Sequence, residues 1–343
     1  MEHFFGVLRL LLWPLAACVT IGLLHAYAGL HVLRRGVIFV DLALAQMAAL
    51  GAVAGMFFAA QSPHVEAHHV AAVEATARTP HSDDNAGDEL DQAIRQTGRT
   101  QASDPPNDAE EEHHSQGFLA FWPTAFALFG AVLLAFARLP DQRVPHEAII
   151  GVVYVVAAAT TVLLLSKSPH AHEQMEEMLT GKLLFVDRDE VLHTAALYAV
   201  LGLLHVFFFR PFLAITNSAE DTEASGMRVR LWDCLFYAMF ALMVTRSVAI
   251  GGVLVVFSLL IIPAACAAAF VESFKARMVL AWLISTVVIV IGLAISALAD
   301  LPSGSTLVAT FGAALVVCLS LGGVTRRTIT RRQVPTSLPA GNP

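Results

Sequence analysis

The chain has 343 residues, of which 56% are hydrophobic and only 14% charged, with a mean hydropathy of +0.65. Soluble globular proteins carry about 25% charge, so these values exclude most soluble enzymes and nucleic-acid-binding proteins and predict a polytopic membrane protein. The net charge of −7 is concentrated in residues 61–117, where twelve Asp/Glu accompany three Lys/Arg and the remaining chain is slightly positive. Cys18, Cys234, Cys266 and Cys318 lie far apart inside apolar stretches, so neither a disulfide framework nor a CxxC metal knuckle is expected.

A bilayer core of ~30 Å needs about 20 apolar residues per crossing helix. Windows of that size predict an all-α chain with about nine transmembrane helices (eight to ten), near 5–29, 36–60, 118–137, 146–166, 191–210, 231–247, 249–271, 277–299 and 304–324. The first has no clean small-residue cleavage site and reads as a retained helix rather than a signal peptide. The pair at 231–271 is tight enough for a broken helix and its neighbour.

Lys and Arg collect in alternate connections: Arg34 and Arg35, Arg138 and Arg143, Arg210, Arg228 and Arg230, Lys275 and Arg277, and a basic tail at 326–343 with Arg326, Arg327, Arg331 and Arg332. The positive-inside rule places these on the cytoplasmic side and the N-terminus and the 61–117 loop outside. Lys167, Lys182, Arg188 and Arg246 run against that assignment.

Residues 61–117 contain almost no large aliphatic or aromatic side chain, so they are expected to be a disordered extracytoplasmic loop. The loop carries His64, His68, His69, His81, His113 and His114, the last two directly after Glu110, Glu111 and Glu112. Imidazole and carboxylate together suit zinc and its first-row neighbours. The spacing defines no fixed tetrahedron, so the expectation is a weak collecting or sensing site, against the plainer reading of a tolerated polar insertion. His170 and His172 are possible additions from another outside loop.

Four ordered stretches carry a resemblance. They are Gly29-Leu-His31-Val-Leu-Arg34-Arg35-Gly36-Val-Ile-Phe39-Val-Asp41-Leu-Ala-Leu-Ala-Gln46, Leu179-Thr-Gly181-Lys-Leu-Leu-Phe-Val, Gly251-Gly-Val-Leu-Val-Val-Phe-Ser-Leu-Leu-Ile-Ile-Pro263-Ala-Ala-Cys266-Ala, and Asp300-Leu-Pro302-Ser-Gly304-Ser-Thr. Together they resemble the permease subunits of zinc/manganese/iron-type ABC importers, from about residue 15 to 325 with the 61–117 loop omitted. The resemblance implies the permease fold, a bacterial cytoplasmic (inner) membrane location and a homodimer with the pathway on its two-fold axis. It also implies an ATP-binding subunit on the cytoplasmic side and an extracytoplasmic substrate-binding protein. No bound cofactor and no nucleic acid are implied; the metal is cargo, zinc first, then manganese or iron. The chain has no GxxxxGK[ST] P-loop, so ATP hydrolysis is expected on the partner and none on this chain.

Family permeases dock the ATPase through a short cytoplasmic helix. Here Ser218-Ala-Glu220-Asp221-Thr-Glu223-Ala-Ser-Gly226 is similar, inside a coupling loop near 211–230. Ser218 suits an N-cap, Glu220 and Asp221 suit the positive N-terminal end, and Gly226 suits the stop. An ordinary polar linker is the alternative.

One departure stands out. Family members usually carry Asp-x-x-x-His in the second helix, where this chain has Leu42 and Gln46. Leu cannot ligate and a neutral amide is a poor zinc ligand. Asp41 lies one position earlier, about 100° round the helix, and is either a pathway residue or the salt-bridge partner of Arg34 or Arg35. Gln46 either lines the path or bonds a neighbouring helix. His25 and His205 lie within spans and are either pathway ligands or helix-to-helix hydrogen bonds. Asp233 begins the sixth span beside Arg230 and reads as an interface residue; Cys234, Met239 and Met243 read as packing before a soft-metal path. Pro263 is expected to kink its helix.

The leading expectation is the membrane subunit of a divalent-metal ABC importer. An ABC permease for a metal chelate or other small solute is the alternative that Leu42 and Gln46 favour. A ZIP-like or cation-diffusion carrier would need several ligands within the helices, and no such cluster is evident. A non-transport membrane scaffold is the remaining reading.

Overall fold

The computed structural model describes residues 2–60, 108–137, 144–166 and 171–332. In chain order the helices are α1 (Glu2–Arg35), α2 (Val40–Ala60), α3 (Asp108–Phe136), α4 (His146–Leu165), α5 (Ala171–Thr180), α6 (Arg188–Phe207), α7 (Phe209–Asn217), α8 (Ala219–Ala224), α9 (Val229–Phe270), α10 (Phe274–Ala299) and α11 (Ser303–Arg332), with a 3₁₀ turn at Leu183–Phe185. Among the described residues there is no strand. Among the described residues seven helices are long and apolar enough to cross a membrane, and Phe121–Phe136 is a shorter apolar one.

At about 1.5 Å per residue, a straight helix as long as α9 would be roughly 63 Å, twice a bilayer core. It does not run straight. Phe236 near its start and Phe274 just past its end both pack on His31 of α1, with ring centroids 6.0 and 5.1 Å away. Both ends therefore lie at one level, and the helix is a hairpin. The reversal is at Gly252, whose φ of 72° and ψ of 165° are non-helical. The second arm returns against α1, where a Cβ on Gly29 would stand 1.9 Å from the Leu260 carbonyl oxygen. With α9 divided in two, each apolar stretch expected from the sequence is helical.

The α1, α9 and α10 helices pack together, and α2 is sandwiched by α3, α4 and α9. Phe212, Phe236, Phe240 and Phe311 fill the centre and are completely buried. Val152, Val155 and Val156 of α4 and Leu203, Val206 and Phe207 of α6 stay exposed; outward-facing apolar side chains of this kind suit a lipid surround. Asp187 caps α6 by accepting from the Glu190 N–H at 2.8 Å. At the same end of the bundle, away from Arg34 and Arg35, Lys182 N–H donates to the Ile250 carbonyl at 3.0 Å and ties the α5–α6 connection to the hairpin tip.

Three boundaries differ from expectation. Helix α3 starts at Asp108, so the part of the predicted loop that bears His113 and His114 is helical. The fifth apolar stretch breaks at Phe208, which divides α6 from α7. The connection near 211–230 holds a further short helix, α7, ahead of α8. The last two follow from local structure: Phe212, Ile215 and Thr216 give α7 a buried face at helical spacing, and Ser218 starts α8 afresh by accepting from the Asp221 N–H.

Candidate functional site

The polar residues converge at the end of the bundle that holds Arg34 and Arg35. The last turns of α1 present Tyr27, His31, Arg34 and Arg35 at i, i+4, i+7 and i+8, a single helix face. Arg35 is buried and saturated. Its Nη1 donates to Asp233 Oδ1 at 2.8 Å, its Nε donates to Thr216 Oγ1 at 3.0 Å, and its guanidinium lies 4.1 Å from the centre of the Phe236 ring. This one side chain therefore ties α1 to α7 and to the first arm of α9. Arg34 reaches Asn217 Oδ1 at 2.7 Å. The arginines, Thr216, Asn217, Ser218, His146, Glu147 and Tyr237 border a cavity of about 330 Å³ at this end.

Ser218 opens α8 by accepting from the Asp221 N–H at 3.2 Å. Gly226 follows the last turn with φ +88° and donates its N–H to the Glu223 carbonyl at 2.9 Å. Asp221 and Glu223 are exposed, so α8 presents acidic groups outward from the bundle end that carries the arginines.

The expected pathway residues do not form one group: no hydrogen bond, ion pair or ring contact joins Asp41, Gln46, His25 and His205 to one another. His25 is a helix-to-helix tie. Its Nδ1 donates to the Ile21 carbonyl at 3.0 Å and its Nε2 accepts from the Ser247 hydroxyl at 3.2 Å. Asp41 is 1% exposed, and its Oδ1 is buried with no hydrogen-bond partner. The alternative of a salt bridge to Arg34 or Arg35 is not what forms, because Asp233 takes Arg35 and Asn217 takes Arg34. Gln46 is 8% exposed. Met239 and Met243 are buried in the apolar core, in line with packing.

His205 joins a different set of residues. It packs on Tyr27 with ring centroids 5.7 Å apart, and Tyr27 packs on His31 at 4.9 Å. In the sequence His31 is only part of a motif, with nothing to mark it as a ligand. Asp233 was read as a neighbour of Arg230, whereas its partner is Arg35, 198 positions away. No local spacing signals either arrangement.

Among the described residues no group of three or more His, Cys, Asp or Glu is placed to hold a metal ion. His64, His68, His69 and His81 lie outside the described residues, as do the side chains of His113, His114 and Glu220.

Comparison with known proteins places this architecture. A manganese transport system membrane protein, MntC of Halalkalibacterium halodurans, is 23% identical over 168 residues, 49% of this chain and 58% of the relative. A protein of Haemophilus influenzae named a probable iron transport system membrane protein is 22% identical over 180 residues, 52% of this chain and 66% of its own length. The matched stretch thus spans less than two thirds of each of these relatives. The solved structure of PsaBC from Streptococcus pneumoniae in complex with Fab has a chain of the same fold, with a TM-score of 0.65 at 16% identity over 92% of this chain and 94% of that one. Residues 117–322, more than half the chain, match the ABC 3 transport family. This chain is a multi-pass membrane protein belonging to that family.

Proposed function

We propose that the chain is the permease subunit of a bacterial ABC importer for a divalent transition metal, acting in the cytoplasmic membrane as a homodimer. Membership of a transport family whose relatives are named for manganese and iron carries this reading. Those names favour manganese or iron. Zinc, expected first, has no such support, and residues 61–107 of the loop lie outside the described residues. The ion would come from an extracytoplasmic binding protein, and alternating access would be driven by a separate ATP-binding subunit on the arginine-bearing face. Capped α8, with Asp221 and Glu223 exposed, supports that docking site, with Glu220 and Gly226 in the same segment. The Arg35 contacts to α7 and to the first arm of α9 suit a transmission path from the docking surface into the bundle.

A metal chelate is the second reading, because Leu42 and Gln46 stand where family members supply Asp and His. Asp41, buried and without a hydrogen bond, supports the bare ion by offering α2 an acidic group after all. Elemental analysis of cells with and without the gene, grown under manganese, iron and zinc limitation in turn, tests the proposal. The expected result is a deficit of one metal, manganese or iron, that the restored gene removes. Unchanged contents of all three metals would refute it.

A further inference from the structure

Two helices that start side by side run in step toward the bundle end that holds Arg34 and Arg35. The second arm of α9 leaves the hairpin tip at Gly252, and α11 begins against the same connection. A Cβ on Gly252 would stand 2.6 Å from the Thr180 carbonyl carbon, and one on Gly304 would stand 2.4 Å from the Thr180 carbonyl oxygen. Near their other ends the two helices touch again, where a Cβ on Gly322 would stand 3.1 Å from that of Ala269. They are therefore parallel neighbours along their length.

Cys266 and Cys318 occupy matching places on them. Each lies 14 positions past its starting glycine, roughly 21 Å along at about 1.5 Å per residue. Each also lies about one turn before the Gly322–Ala269 contact, which puts both on the shared seam. Their side chains meet there in thiol–thiol hydrogen-bonding contact. Cys266 is completely buried and Cys318 half-buried. A disulfide needs α-carbons within about 7 Å and side chains that point together. Helices must pack closely to offer that, and Gly322 and Ala269 are small enough to allow it. The other two cysteines cannot pair with each other. Cys234 adjoins Asp233 at the level of Arg35, whereas Cys18 is 17 positions back along α1, roughly 25 Å away.

We propose that Cys266 and Cys318 form a peroxide-sensitive dithiol, whose oxidised form is a disulfide joining the returning arm of α9 to α11. Hydrogen peroxide is small and uncharged, so it can enter the bilayer. Cys318, the more exposed thiol, reacts first: the O–O bond breaks, one oxygen passes to its sulfur, and a sulfenic acid and one water result. The Cys266 sulfur then attacks that sulfur; the S–S bond forms, the S–O bond breaks and a second water leaves. Two thiols thus lose two hydrogens while one peroxide is reduced to two waters. Buried thiols react slowly, so the pair answers sustained oxidation rather than a brief pulse. The link fixes the two helices to each other near their inner ends, whatever the chain carries.

The test is peptide mapping of the purified full-length protein after prolonged hydrogen peroxide, with the remaining thiols alkylated under denaturing conditions. Free thiols are expected to fall from four to two per chain. The segments bearing Cys266 and Cys318 are expected as one linked peptide, and a thiol reductant is expected to return all four thiols. Cys266→Ala and Cys318→Ala should each abolish the link, whereas Cys18→Ala and Cys234→Ala should leave it in place. The wild-type map alone is decisive if a variant fails to fold. Four thiols left free, a link to Cys18 or Cys234, a link between two chains, or sulfinic and sulfonic acids without a link would each overturn the pair.

Discussion

Replacing Gly252 by alanine is expected to destabilise the protein by several kcal/mol and to lower its melting temperature in detergent accordingly. Two independent costs add. The backbone there has φ 72° and ψ 165°, a region open essentially to glycine, where other residues pay about 1–3 kcal/mol. A Cβ would also stand 2.5 Å from both the Gly181 nitrogen and the Leu179 carbonyl oxygen. These are backbone atoms of the connection that holds the hairpin tip, and Gly181 has a positive φ of its own, +73°. Neither side can yield without breaking the Lys182 to Ile250 hydrogen bond. Overpacking adds about 1–3 kcal/mol, a large part of the 5–15 kcal/mol that typically separates folded from unfolded states. Gly312→Ala is the matched control: a Cβ there meets nothing within 4 Å, and its melting temperature is expected to stay at the wild-type value. Equal melting of the Gly252 variant and wild type would rule out the hairpin reversal as described.

The second large effect is expected at the Arg35–Asp233 pair. Its side chains are 6% and 4% exposed and lie 2.8 Å apart. Removing one partner of a buried pair typically costs about 3–5 kcal/mol, because the other charge remains without compensation. Asp233→Ala and Arg35→Ala should each lower the melting temperature accordingly. The double variant Arg35→Met/Asp233→Leu should recover part of the loss, since no orphan charge remains. The contrast is Arg246–Glu190, 3.4 Å apart with side chains 31% and 36% exposed; exposed pairs of that kind are worth about 0–1 kcal/mol, and Glu190→Gln should be nearly silent. If the two single variants at 35 and 233 melted no lower than Glu190→Gln, this pair would not be the tie between α1 and α9.

The helical bundle was legible because a bilayer imposes a length on every apolar run, and that length recurs through the sequence. The tight pair near 231–271 was legible for the same reason, and Gly251-Gly252 marks where it turns. What stayed hidden depends on distant contacts. Asp233 sits beside Arg230 in sequence, yet α9 turns it toward Arg35. His31 lies between apolar residues and carries no ligand spacing of its own; its significance comes from Thr216 and Tyr27, placed by α7 and by the helix register of α1. The short helix α8 is legible from Ser218 as its cap, whereas α7 is not, because its buried face of Phe212, Ile215 and Thr216 emerges only when it packs against the bundle. His25 and His205 look alike in sequence as lone histidines in apolar spans, and only the presence or absence of a partner such as Ser247 separates them.

Import of a bare metal ion through a second helix with Leu42 and Gln46 in place of the usual ligands is open to direct measurement of uptake. The most direct measurement is the initial rate at which cells with and without the gene take up radioactive manganese and iron, supplied as free ions and then with excess chelator. Gene-dependent uptake of the free ion, abolished by the chelator and reduced by Asp41→Asn, is the predicted result. Gene-dependent uptake seen only when the chelator is present would contradict it and identify the complexed metal as the cargo.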